Sequence, residues 1–138
     1  MIMKTSITRR FILRMIAAGA GTIGLMGFRP ALSVTQDSAA KARKLTSIIN
    51  DYDSARDLGI EYLRIIPDEA NINTLVNLLS STHHLIPLDI EMTKPIDLRN
   101  AISRQLQFDF KSNEVINLHG WILSRTEVRL CALSALMA

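Results

Sequence analysis

Apolar residues recur along most of this chain at the three- and four-residue spacing of helix faces, and proline, glycine or small polar clusters interrupt them. Ala42, Leu45 and Ile48/Ile49 predict a helix over about residues 40–50, after a small polar stretch from Val34 to Ala40 that reads as a mobile N-terminus. Ala55, Leu58, Tyr62 and Ile65/Ile66 form the stripe of a second helix, from about Ser54 to Ile65, with Asp53 as its cap and Pro67 ending it. A third starts at Asp68 or Asn73, runs through Leu75, Leu78 and Leu79, and fades into Ser80-Ser-Thr-His83-His84. The segment from Leu85 to Met92, broken by Pro87, reads as irregular. A fourth helix begins near Pro95 and reaches about Asp109, with Leu98, Ala101/Ile102, Leu106 and Phe110 inward and Arg99, Arg104 and Gln107 outward.

Lys111-Ser-Asn113 is turn chemistry, and the alternation from Glu114 to Leu118 predicts one short extended segment ending at His119-Gly120. The best local signal follows. Ser124-Arg-Thr-Glu127 is a capping box, in which the hydroxyl and the carboxylate each accept from the other residue's backbone N–H, with Leu123 and Val128 at the staple positions. Past Arg129 the last helix is apolar at every position to Met137 except Ser134, so it is expected in the core or docked on a partner. A domain of about 100 residues has little interior in which to hide a helix on all sides. Leu133 and Leu136 are therefore the expected partner-binding residues. The fold expected is mainly α: a small bundle of four or five helices with one short extended segment before the last.

Charge divides the chain in two. Lys4, Arg9, Arg10, Arg14 and Arg29 precede residue 34, whereas eleven of the sixteen Lys and Arg and all thirteen Asp and Glu follow it, which leaves a body of net charge −2. Such a body has no Lys/Arg stripe to follow a phosphate backbone, which removes the case for nucleic-acid binding. The basic end has its own organisation. Thr8-Arg-Arg-Phe-Ile-Leu-Arg14 precedes fourteen uncharged residues rich in Gly and Ala, Met15 to Phe28. Pro30 follows, and Ala31 and Ser33 place small residues at −3 and −1 to Val34. The uncharged stretch is short of the roughly 20 apolar residues of a membrane span.

This segment resembles a twin-arginine (Tat) signal peptide: Arg9 and Arg10 match the arginine pair, Ile12 and Leu13 the apolar pair, and Arg14 stands where Lys is usual. The resemblance implies two regions, a signal peptide over 1–33 and a helical mature domain over 34–138. It also implies recognition by the Tat translocase, transient membrane contact through the leader, and a periplasmic or secreted destination. A Sec leader carrying two arginines, or an uncleaved membrane anchor, would also place the body outside the cytoplasm.

Candidate chemistry in the body is sparse. Gly19-Ala-Gly21-Thr-Ile-Gly24 spells the dinucleotide-binding pattern, but it lies in the leader with no strand before it and no βαβ unit around it. His83-His84 with Asp89 and Glu91 would need three or four convergent ligands to hold a metal, and adjacent histidines on extended chain point apart. A solvated loop is the simpler expectation. His119-Gly120-Trp121 reads as a packed corner in preference to a ligand-stacking site. Cys131 lies among apolar residues and is expected buried, not reactive. Ser124 is committed to its cap, and Leu58-Gly59-x-x-Tyr62 resembles one tetratricopeptide unit without a second copy.

No catalytic, cofactor or metal residue is therefore assigned. The expected function is an exported non-catalytic accessory protein or small subunit that binds another exported protein, for which the Tat resemblance implies an oxidoreductase, or forms a homodimer. The alternatives are a monomeric envelope ligand-binding module, or an enzyme or metal-binding protein whose site is not recognisable. Export is the most direct test. Replacing Arg9 and Arg10 together by Lys keeps both charges but removes the guanidinium pair, and is expected to leave the precursor in the cytoplasm on cell fractionation; normal export would favour a Sec route.

Overall fold

The computed structural model describes residues 34–138; the signal peptide expected over 1–33, with Arg9, Arg10, Ile12, Leu13 and Arg14, lies outside the described residues. Five helices and one two-stranded sheet follow in order: α1 (Gln36–Thr46), α2 (Tyr52–Ile65), a single 3-10 turn (Pro67–Glu69), α3 (Ile72–Ser80), α4 (Pro95–Lys111), β1 (Val115–Leu118), β2 (Trp121–Ser124) and α5 (Arg125–Met137). The mainly helical architecture is as expected. None of these helices is long and apolar enough to cross a membrane.

Four of the five helices start on a side-chain cap. Thr35, Asp51, Asn71 and Ser124 each accept a hydrogen bond from the backbone N–H three residues on. The fifth, α4, starts on Pro95, whose fixed φ and missing N–H suit the first turn. These caps correct several expected boundaries. With Thr35 as its cap, α1 starts at Gln36, four residues ahead of Ala40, because its first turn, Gln36-Asp-Ser38, has no apolar residue to mark it. Thr46 ends it early, its hydroxyl bonding back to the Ala42 carbonyl at 2.9 Å. Asp51, not Asp53, caps α2, and Asn71, not Asp68 or Asn73, caps α3.

The last turn of α4 closes with Asn113 at φ 59°, where Glu114 N–H reaches the Asp109 carbonyl and Asn113 N–H the Phe110 carbonyl, a Schellman pairing. The extended segment expected at Glu114 to Leu118 is one arm of a hairpin. Leu118 pairs with Trp121 across His119-Gly120, and Val115 with Ser124. His119 and Gly120 both have positive φ, the geometry of a two-residue turn matched to strand twist. Trp121-Ile-Leu123 was not expected as a strand because it runs straight into the capping box, so its pattern of two apolar exposed positions followed by two buried ones shows no alternation.

α5 occupies the centre, in contact with α1, α2, α3 and α4, and its longest contact is with α2. Val128, Cys131, Ala132, Leu133 and Ser134 are all completely buried. The domain thus hides most of the last helix by itself, wrapping it with the other four instead of leaving one side bare. The approach of α2 is closest at Gly59, where a Cβ would fall on the backbone carbonyl of Cys131. Gly59 serves this helix crossing and not a repeat motif. Gly59→Ala is accordingly expected to force the two helices apart, at a cost of about 1–3 kcal/mol or more in urea or thermal unfolding. A variant as stable as the parent would show that the crossing can relax.

Candidate functional site

The buried polar groups of the domain gather where β2 turns into α5. Ser124 is fully buried; its Oγ accepts from Glu127 N–H at 3.0 Å, and its N–H donates to Glu127 Oε2 at 3.1 Å, so both halves of the capping box are made. Arg125 N–H donates to the Glu114 carbonyl at 2.9 Å. The next donor, Thr126 N–H, goes to Asp109 Oδ2 of α4 at 2.9 Å. Two buried carboxylates, Asp109 and Glu127, therefore face the first turn of α5, where free N–H groups favour negative charge.

At Glu127 burial outweighs the attraction of the helix start. Burial, with a lesser contribution from the neighbouring Asp109 charge, pushes Glu127 up to about 8, against the Ser124 hydrogen bond that favours its ionised form. Burial likewise pushes the Cys131 thiol up, so the sulfur is an inert core atom.

Asp109 extends the polar network outward. Its Oδ1 accepts from Gln105 Nε2 at 2.7 Å, one turn back on α4, where Gln105 is only 3% exposed. Gln105 Oε1 in turn accepts the backbone N–H of His84 at 3.0 Å and lies 3.1 Å from His84 Nδ1. Both ends fix the amide the same way round, since a backbone N–H can only donate and Thr126 and Gln105 both deliver protons to Asp109. His84 Nδ1, facing an oxygen that only accepts, carries the ring proton, and Nε2 is left bare in the neutral ring.

His83 and His84 do not point apart. Their turn-rich segment brings the rings edge-to-face at 4.9 Å, and both sit on Phe108, His83 stacked on it at 5.2 Å. They border a recess of about 430 Å³ lined also by Pro87, Leu88, Asp97, Asn100, Ala101 and Arg104. A second recess, about 570 Å³, lies between α1 and the same connection, lined by Asp37, Lys41, Ser80, Ile86 and the run from Leu88 to Met92. Ser80 Oγ there is buried with no hydrogen-bond partner among the described residues.

The remaining candidates fall elsewhere. His119 is exposed at the hairpin turn, 3.2 Å from Glu61 through Nε2. Trp121 is 49% exposed beside it, so the corner is not a packed one. Leu133 is buried at the core and Leu136 is half-buried at the C-terminal end of α5. Arg129, the lone charge of that helix after its first turn, forms a two-pronged ion pair with Glu69, which also accepts from the Tyr62 hydroxyl at 2.7 Å. Among the described residues no three His, Cys, Asp or Glu come together as a metal site.

The sequence offered no signal for the Asp109–Gln105–His84 relay. Gln105 and Asp109 belong to the fourth helix and His84 to a loop, and only the folding of the 81–88 segment over α4 joins them. No protein-family model, curated protein or solved structure matches the chain.

The buried cap makes two linked predictions. Ser124→Ala removes the acceptor for Glu127 N–H and is expected to cost about 0.5–2 kcal/mol, lowering the melting temperature by about 4–8 °C per kcal/mol. Because folding raises the Glu127 pKa from 4.5 to about 8, the folded state holds its proton more tightly than the unfolded chain. This contribution is therefore complete below about pH 4.5 and is lost as pH rises to about 8, at no more than about 1.4 kcal/mol per pH unit. Glu127→Gln keeps a capping-box side chain that cannot ionise, and denaturation across this window should show a flatter pH profile than the parent's.

Proposed function

We propose that this protein is an exported accessory protein or small subunit that binds another exported protein, with a Tat-dependent oxidoreductase as the partner class. Export rests on Thr8-Arg-Arg-Phe-Ile-Leu-Arg14 and the uncharged stretch behind it. Partner binding rests on one observation above all. The connection from α3 to α4 and the first turn of α4 leave three large apolar side chains mostly in solvent: Ile86 at 65%, Met92 at 80% and Ile96 at 60%. Apolar side chains concentrated on one surface segment mark association sites more often than singly scattered ones do.

Carboxylates surround this segment. Asp37, Asp89 and Glu91 line the same recess as Ile86 and Met92, against the single amine of Lys41. An apolar centre rimmed by charge is the usual build of a protein interface. The acidic rim favours a partner with a basic surface. Leu136, at the half-buried end of α5, stays available to such a partner, whereas Leu133 is held in the core.

Pull-down of the tagged protein from the native envelope fraction tests the proposal. Ile86→Asp with Met92→Asp is expected to remain folded, since both side chains are exposed, and to lose the co-purifying protein or the dimer. Leu133→Asp, by contrast, buries a charge in the core and is expected to unfold the domain. A monodisperse monomer that captures nothing would remove the accessory-subunit function and favour a ligand-binding module.

A further inference from the structure

The recess over α4 is built around a preset imidazole. Two hydrogen bonds to Gln105 Oε1 hold the backbone and ring of His84. Gln105 is itself held by the buried Asp109, and Asp109 by the first turn of α5. This arrangement leaves Nε2 of His84 as the unused ring nitrogen. Such a chain of carboxylate, amide and imidazole fixes both the tautomer and the orientation of the ring, as outer partners do for functional histidines.

The charges that share the recess are disposed unevenly. Asp97 and Arg104 are seven residues apart on α4, about 10 Å along its axis, and make no ion pair with one another. Asp97 lies in the first turn of α4, where the helix N-terminus matches its charge. Arg104 lies two turns further along, next in sequence to the Gln105 that carries His84. The guanidinium has no carboxylate partner among the described residues, and Asn100 stands one turn before it on the same helix face. Pro87, Leu88 and Ala101 give the recess an apolar part.

We propose that this recess binds the oxyanion group of a small organic acid or phosphate, held by the Arg104 guanidinium and the His84 imidazole. Gln105 Oε1 keeps the Nδ1–H of His84, so it is Nε2 that is turned to the anion, and in the protonated ring its N–H donates to the oxyanion. The charged and titratable groups facing the ring are His83 from its own segment and Asp97 and Arg104 from α4, with Asp109 behind Gln105. Arg104 supplies the planar two-donor geometry that carboxylate and phosphate accept.

Titration of the full chain with benzoate and with inorganic phosphate, followed by amide spectra and calorimetry, tests this, with sodium chloride at matched ionic strength as control. Saturable shifts at residues 83–88 and 100–105 are expected. Arg104→Gln, a change at an exposed position, should weaken binding by about ten- to a hundredfold, and His84→Gln, which removes the second donor, should weaken it as well. Response to benzoate alone identifies an organic acid, and to phosphate alone a phosphate; either supports the site. Shifts that chloride reproduces, titrations that do not saturate, or an affinity unchanged in Arg104→Gln would overturn it.

Discussion

The backbone of α5 runs against Gly59 of α2 with no room for a single carbon between them. Everything else in the domain is arranged around that contact. It lets the most apolar helix lie directly on the helix with which it makes its longest contact, so that Cys131 and Ala132 are covered by backbone as much as by side chains. With α2 that close, α1, α3 and α4 can reach the other sides of α5, and a domain of this size closes over a helix that is apolar nearly all round. A small domain would normally leave such a helix partly bare. Close approach makes the interior large enough.

A helix in the middle of a small domain brings its ends inside with it, and its first N–H groups must find acceptors there. Ser124 satisfies one, Asp109 reaches over from α4 for another, and the hairpin supplies the Glu114 carbonyl for Arg125 N–H. The cost is two carboxyl groups out of water, and burial pushes Glu127 up to about 8. Asp109 also reaches beyond the cap: through Gln105 its hydrogen bonds extend to the ring of His84. One structural necessity, the buried start of α5, thereby positions the side chain on which the proposed anion site depends.

The same division between interior and surface bears on the proposed role. For a protein proposed to bind another protein, a last helix enclosed by its own domain leaves association to side chains elsewhere on the surface. Among the described residues, the large apolar side chains left exposed include Ile86, Met92 and Ile96, the hairpin residues Trp121 and Ile122, and Ile65. Acidic residues stand beside the first of these groups, and residues 34–138 are net negative.

The sequence by itself determined the helical class, the order of most elements and the capping box, because each is written in residues near one another along the chain. The period of α4 and the Ser124–Glu127 pair need no distant partner to be recognised. Cap positions such as Thr35 and Asp51 were decided in the folded chain, where neighbouring polar residues compete for the same role and packing selects among them. Only tertiary structure enclosed Leu133, turned His83 and His84 to the same side, and linked His84 to Asp109. Those outcomes join residues 21 or more positions apart in sequence, and a linear pattern of apolar and polar positions specifies which face is buried but not which face of which other element buries it.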